Sequence, residues 1–461
     1  MGMEDGMVVV DEARAAGRRR HPWFGDHRLP VRASGDAIRQ MLRTEIRDIG
    51  WPYQDQLPAT PMAIPRASYA ELYRVTSALV GLLRRTALEA APTTQARLEA
   101  YRMPAREHHL FLSDEFLEER YADAVVRPDI IIGPAGPQFL EFNVSAALGG
   151  PVEMHCRLQV WRRLYGDDDG RVPFGYHDPF AVRAALFHDL AAETARAPRV
   201  AVVGSTRLPD VERRYFELEA AYYNDHGLTA RFFEPEELSE AWDCPPHLRY
   251  GLGLRNFTIG DFVKSGVDTA PVQEALDRDC LLVTTQSSVF LHSKLTMAMM
   301  SEGRPWMSAA EQRLVDAYLP WTRILTARRT ARGGEEVDLV PFVLKHRESL
   351  VLKTALGESG NEVILGSRAT EAQWESAVAA ALEDGTSVVQ DFVVPQTCRL
   401  PILTDGSDEP EEVDVAPVLG PLLFGGRPAG LFARFFGDGE AGVVAVKGAH
   451  RTSSDSAVVA V

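Results

Sequence analysis

Two runs of apolar and β-branched residues, Pro128 to Ile132 and Gln138 to Val144, flank the turn-forming segment Gly133-Pro134-Ala135-Gly136-Pro137. Strand, turn and strand in that order predict a β-hairpin. Folded symmetrically about Ala135, it sets Asp129 opposite Glu141 and Arg127 opposite Asn143, all on one face, because strand side chains alternate. Ile130, Ile132, Leu140, Phe142 and Val144 take the other face and point to a core. Further along, "RVAVVGS" (199–205), "LPDVERRYFELEAAYYNDHG" (208–227) and "LTARFFEPEEL" (228–238) read as strand, helix, strand and helix start. Pro209 suits the first helical turn and Gly227 the stop. That succession predicts a βαβ unit and a parallel sheet. Residues 1 to about 125 read as mainly helical, with apolar residues at helical spacing in "ASYAELYRVTSALVGLLRRTALEA".

A second strand, glycine loop and strand follows in "ESLVLKTALGESGNEVILG" (348–366), with Lys353 ending the first strand and Gly357 and Gly360 in the loop. A helix is expected next, opened by a Thr370/Gln373 capping box and striped by Trp374, Ala377, Val378, Ala381 and Leu382. A strand over 387–394 closes the region.

The polar face of the first hairpin changes this picture from fold to chemistry. Asp129 and Glu141 directly opposite each other repel unless a counter-charge joins them. A hard divalent cation such as Mg²⁺ would satisfy both carboxylates and the Asn143 amide; a solvated outer face with Arg127 pairing an acid is the other reading. The glycine loop is similarly double: backbone N–H groups beside a lysine can cradle phosphate, or the loop is an ordinary hairpin turn. The solitary Gly204 after its strand lacks a G-x-G-x-x-G continuation, so the βαβ unit reads as scaffold. His108 and His109 have no acidic or cysteine companions at ligand spacing.

The 461 residues exceed one ordinary core and suggest two to four domains. A net charge of −16 argues against nucleic acid and against an anionic membrane as partner. No apolar run approaches a membrane span, and Arg18-Arg19-Arg20 is followed by Pro22-Trp23-Phe24, not by a signal-like apolar stretch. Cys156, Cys244, Cys280 and Cys398 have no metal or disulfide spacing, which fits a reducing cytoplasm. The acidic tract Thr404 to Asp414 reads as an exposed loop.

Taken together, these pieces resemble the ATP-grasp superfamily, and in their order its circularly permuted branch, typified by glutathionylspermidine synthetase. The family's R-x-D, eleven residues, E-x-N is matched by Arg127-Pro128-Asp129 and Glu141-Phe142-Asn143. Its K-P-x-x-G-x-E-G-x-x-V loop is similar to the segment Lys353 to Val363, with Thr354 replacing proline and Ser359 replacing the acid. Val388-Val389-Gln390 resembles its hinge strand. "FLHSKLTMAMM" (290–300) resembles its N-K segment, with His292-Ser293 where the asparagine is expected.

The resemblance implies an α/β (α+β) fold divided as follows: a mainly helical region over 1–125, a permuted metal-binding segment over 126–195, a Rossmann-like pre-ATP-grasp βαβ domain over 196–300, and a lysine and glycine-loop subdomain over 301–461. It implies ATP and one or two Mg²⁺ as cofactors, with Asp129, Glu141 and Asn143 on the metal. Lys294 and Lys353 would hold phosphates under a lid from Gly357 to Gly360. Gln390 and the backbone of Asp391, Phe392 and Val393 would meet the adenine, and Arg434 would reach the phosphates. Arg127 would sit beside the reacting carboxylate, unless it serves only as a salt bridge to Asp129 or Glu141. The implied reaction joins a small-molecule carboxylate to an amine through an acyl phosphate. A phosphotransferase and a non-catalytic nucleotide binder are the alternatives. Specificity is expected from the first 125 residues, the βαβ unit and the loops near Arg106 and Arg255. The oligomeric state is not legible, a homodimer being the one assembly considered.

Overall fold

The structure is a computed structural model that describes residues 22–50, 56–209, 211–357, 363–404, 406–436 and 454–461. The basic cluster at 18–20 lies outside these residues. The fold is mixed α and β, organised on a six-stranded sheet in the order Met62–Ile64, Ser454–Ala460, Arg427–Phe435, Val418–Phe424, Val125–Gly133 and Gly136–Val144. All neighbours are antiparallel except the first two, which run parallel.

This sheet is apolar on both faces, so both must be covered. Val125, Leu422, Phe424, Phe432 and Val459 pack with helices Pro151–Tyr165 and Pro179–Glu193 on one side. Val126, Ile130, Leu419, Leu431 and Val458 pack under the long helix Arg66–Leu88 on the other. That helix is amphipathic, with Leu72, Leu79 and Leu83 fully buried. Beyond the first covering layer, the face of Val125 carries Arg127 and Asp129 outward along the same strand.

The βαβ pattern forms a parallel sheet ordered Thr229–Phe233, Arg199–Val203, Leu252–Arg255 and Leu281–Val283. Its helix begins at Arg213, later than Pro209, because Glu212 is tied back by its N–H to the Ile49 carbonyl (3.2 Å). The lysine segment forms a four-stranded antiparallel sheet, Val363–Leu365, Leu350–Lys353, Val388–Asp391 and Thr322–Ile324. Helix Glu371–Asp384 covers it, opened by the Thr370/Gln373 capping box and buried through Trp374, Val378 and Ala381. The strand expected to reach residue 394 stops at Asp391, and Phe392 and Val394 are partly exposed. The acidic tract is only in part a loop: Glu411–Val415 is an edge strand paired to Cys398–Leu403. No helix among the described residues is long and apolar enough to cross a membrane.

The first hairpin departs from symmetry in an informative way. Its turn is only Pro134-Ala135, with Gly133 facing Gly136, and a bulge follows: Ile130 faces Phe139, whereas Asp129 faces Glu141. The extra residue is Leu140. It leaves the core side, where Phe139 is fully buried instead, and packs with Ile131 and Val418 on the polar face. The bulge restores the pairings of Asp129 with Glu141 and of Arg127 with Asn143.

Candidate active site

The hairpin, the antiparallel sheet and the carboxyl ends of the parallel strands enclose a cleft of about 1240 Å³. It is lined by Arg127, Asp129, Glu141 and Asn143, by Lys294, by Lys353 and Gly357, by Gln390, Asp391, Phe392 and Val393, and by Arg434. The residues given a metal, nucleotide or substrate role from the sequence therefore line one cavity, except Gly360, which lies outside the described residues.

Lys353 ends its strand against Val388 and is buried. Its Nζ donates to Gln390 Oε1 (2.7 Å) and to the carbonyl of Leu140 (3.1 Å), the residue added by the bulge. Bulges re-aim backbone groups, and here the re-aimed carbonyl joins two sheets through an ammonium group. Burial, with Lys294 nearby, pulls Lys353 down to about 8 despite the attraction of Glu141. Gln390, expected at the adenine, is fully buried beneath Lys353, and its amide also donates to Thr322 Oγ1 (3.0 Å). The N–H groups of Asp391 and Phe392 are used by the Trp321 and Ser349 carbonyls (2.9 and 2.8 Å). The Asp391 carboxylate accepts from Arg332 Nη1 (2.7 Å).

Lys294 opens helix Lys294–Glu302, which Ser293 caps by accepting from the Leu295 N–H. Ser293, next to Lys294 where the resemblance expects an asparagine, thus serves as a helix cap. Lys294 Nζ donates to the Gly357 carbonyl (2.9 Å) and lies 3.4 Å from Glu141 Oε2. Burial opposes ionisation of Glu141, but Lys294 and Lys353 outweigh it and hold its carboxyl well below the usual carboxylate range. Asn143 Nδ2 is 3.5 Å from Glu141 Oε1, two residues along the same strand. Beside them His292 is held neutral, pulled to about 4 by burial and by Lys294.

Arg127 and Arg434 flank Asp129. Arg434 Nη2 donates to Asp129 Oδ2 (2.6 Å), and Arg127 Nε lies 3.4 Å from Oδ1 while its Nη1 donates to the Gly149 carbonyl (2.5 Å). The stem of Arg127 crosses Gly420, where a Cβ would stand 2.9 Å from Arg127 Cδ. Nothing in the local sequence around Gly420 announced that role.

At the other end of the cleft, Arg255 closes its strand with 9 % of its surface exposed, and burial lowers it to about 10 against the pull of Glu118. Thr284 Oγ1 and Gln286 Oε1 are buried there without hydrogen-bond partners among the described residues. Sequence reasoning missed these two. The polar run Thr284-Thr285-Gln286-Ser287-Ser288 directly after the apolar strand Leu281–Val283 was the available signal.

No protein-family model and no curated protein matches the chain. Among solved structures it is similar to a glutathione synthetase-like effector from Globodera pallida, solved in its apo form, at 12 % identity and a TM-score of 0.55, over 92 % of this chain and 96 % of that one. A protein from Methylobacillus flagellatus KT, provisionally named a gamma-glutamylcysteine synthetase, aligns over 80 % of this chain and 84 % of its own at 13 % identity and a TM-score of 0.34. What the first likeness establishes is the fold: this chain is an α+β protein built on the same overall plan as that effector.

Proposed function

We propose that the chain is an ATP-dependent carboxylate–amine ligase of the circularly permuted ATP-grasp type, acting on a small-molecule acid and a small-molecule amine. The observation that carries this reading is the convergence of Lys294, Lys353, Glu141 and the two arginines, from segments far apart in sequence, on one cleft. The name of the Globodera pallida protein agrees with a synthetase-like reading.

The donor set suits a hard cation: Asp129, Glu141 and Asn143 offer carboxylate and amide oxygens in the cleft. Among the described residues no group of three or more His, Cys, Asp or Glu side chains could hold a metal ion; the set proposed here is two carboxylates and the Asn143 amide. A bound Mg²⁺ would supply charge neutralisation for phosphate oxygens. Lys353 and Lys294 bring two ammonium groups to the phosphates, and Gln390 and the Leu140 carbonyl fix Lys353 in place. Arg127 and Arg434 stabilise charge on the reacting carboxylate. Arg255, Thr284 and Gln286 form the wall where a further polar group of the substrate would be held, at the strand ends where ligands of parallel sheets bind.

The test is incubation of the purified protein with ATP, Mg²⁺ and panels of acids and amines. Ligase activity releases ADP and phosphate only when an acid is present, and hydroxylamine traps the activated acyl group as a hydroxamate. A phosphorylated product that persists in the presence of amine would identify a phosphotransferase. Nucleotide binding without turnover across the panels would identify a non-catalytic binder.

A further inference from the structure

In the parallel sheet the chain leaves Arg199–Val203 on one side to form Thr229–Phe233 and returns on the other to form Leu252–Arg255. The strand order therefore reverses between Arg199–Val203 and Leu252–Arg255, and open parallel sheets bind ligands outside the carboxyl ends of the strands at such a point. Val203 faces Arg255 there, and the Asn256 N–H donates to the Val203 carbonyl (2.8 Å). A cation stands at this crevice. Arg255 is 9 % exposed and lines the cleft, yet among the described residues its guanidinium makes no hydrogen bond and no ion pair; its ring contact is Phe257, whose centroid lies 5.1 Å from Cζ. Glu118 is the acid whose charge acts on it, but that carboxylate is taken up by the Leu112 and Ser287 N–H groups (2.8 and 2.5 Å). A buried charge without a counter-charge is costly, and a ligand that supplies the missing charge removes the cost. The pairing of Leu254 with Val283 puts Thr284 next to Arg255. Thr284 Oγ1 and, two residues on, Gln286 Oε1 are the buried oxygens without partners among the described residues, and both residues line the same cleft.

We propose that Arg255 binds a carboxylate that takes no part in the reaction, carried by one of the two substrates, with Thr284 and Gln286 accepting from an N–H or O–H group next to it. This rests on the ligase reading above and deepens it by naming a charge that a substrate must carry. The planar fork of a guanidinium takes a carboxylate through two parallel hydrogen bonds, and the Phe257 ring against it fixes the orientation of the fork. The carboxylate belongs either to an acid with two carboxyl groups or to an amine that is an amino acid; the recognition chemistry is the same.

The experiment is calorimetry on wild type, Arg255→Met, Arg255→Lys and Gln286→Leu, with and without a non-hydrolysable ATP analogue and Mg²⁺. The probes are the protein amino acids and the dicarboxylic acids from malonate to adipate, each beside the analogue with one carboxylate made a carboxamide. At least one probe should bind wild type and bind Arg255→Met about tenfold or more weaker, with its carboxamide equally weak on both proteins and Arg255→Lys recovering part of the loss. Gln286→Leu should weaken a probe with an N–H or O–H beside the carboxylate and leave one without it unmoved; no weakening of either removes Gln286 from the site. A structural role for Arg255 as the counter-charge of Glu118 predicts the reverse, an Arg255→Met that unfolds at lower urea with carboxylate affinity unmoved. That unmoved affinity, or no probe that wild type distinguishes from its carboxamide, overturns the proposal. Should Arg255→Met not fold, a wild-type crystal with the tightest probe decides: a carboxylate within about 3.2 Å of the guanidinium nitrogens supports it, and a probe seated elsewhere refutes it. The hydroxamate reaction, in which hydroxylamine replaces the amine, names the source: Arg255→Met slows it if the carboxylate belongs to the acid, and slows only amide formation if it belongs to the amine. A wild type that binds no ATP analogue defeats the ligase reading, while an Arg255-dependent probe would still show the carboxylate site.

Discussion

Nucleotide binding should be coupled to protonation of Lys353. Burial pulls this lysine from 10.5 to about 8. At pH 8.5 about three-quarters of it is therefore neutral, and at pH 7 about one-tenth. A triphosphate beside Nζ restores the charged form, so binding should take up about 0.7 proton at pH 8.5 and about 0.1 at pH 7. Affinity should fall about 30-fold between pH 7 and pH 9.5, close to 2 kcal/mol, as the cost of recharging the lysine grows. The assay is calorimetry with a non-hydrolysable ATP analogue in buffers of different ionisation enthalpy, whose slope gives the protons taken up. The sign for stability is separate. Below about pH 8 the ammonium is charged both folded and unfolded and burial penalises it fully; the penalty is relieved as pH rises from about 8 to 10.5. Lys353→Met should abolish the linked uptake. An uptake that is flat with pH, or unchanged in Lys353→Met, would refute the reasoning that the buried lysine is a phosphate ligand.

Other substitutions probe the surroundings. Asn143→Ala should abolish turnover with stability within about 1 kcal/mol of wild type, whereas Glu141→Ala should also lose about 1–3 kcal/mol because buried Lys294 loses its partner; denaturant melts and the hydroxamate assay separate the two effects, and near-normal turnover in either variant counts against a metal role. Gly420→Ala should displace Arg127 and lower turnover about tenfold or more, with ATP-analogue affinity unchanged, and an unaltered rate would mean that the Arg127 stem yields freely. Glu153, fully buried where it caps the Gly150 N–H, is raised from 4.5 to about 7, first by burial. Its contribution to stability is present below about pH 4.5 and lost as pH rises through about 7, so wild type should lose about 3 kcal/mol between pH 4.5 and 8 that Glu153→Gln does not lose; parallel pH profiles from urea unfolding would sink this account.

The sequence made legible what depends on local pattern. Alternation and turn residues located the hairpin, and the pairing of Asp129 with Glu141 came out as expected. The parallel pairing of Arg199–Val203 with Thr229–Phe233 followed from strand, helix and strand spacing. The helix over Glu371–Asp384 followed from its capping box and apolar stripe. What stayed hidden depends on contacts between distant segments. Leu140 was placed on the core side because a bulge leaves no mark in a hydrophobic run; only the partner strand's register reveals it. Gln390 lines the cleft as expected of a ligand-facing residue, but its bonds to Lys353 and Thr322 depend on how two strands pair and left no local mark. The pairing of Asp129 with Arg434 spans more than 300 positions, and no local spacing rule reaches that far. Arg255 was expected to mark a loop, yet it ends the strand Leu252–Arg255 and is buried, which could not be read before the sheet was assembled.

The one-residue insertion at Leu140 also separates two design problems that a regular ladder would tie together. Removing Leu140 would bring Phe139 and Glu141 into direct succession, one inward and one outward, so both the oily and the ionic surfaces would survive the deletion. What would vanish is the oxygen that steadies Lys353 from across the sheet boundary. A shortened chain should therefore still assemble while holding the Lys353 ammonium less firmly.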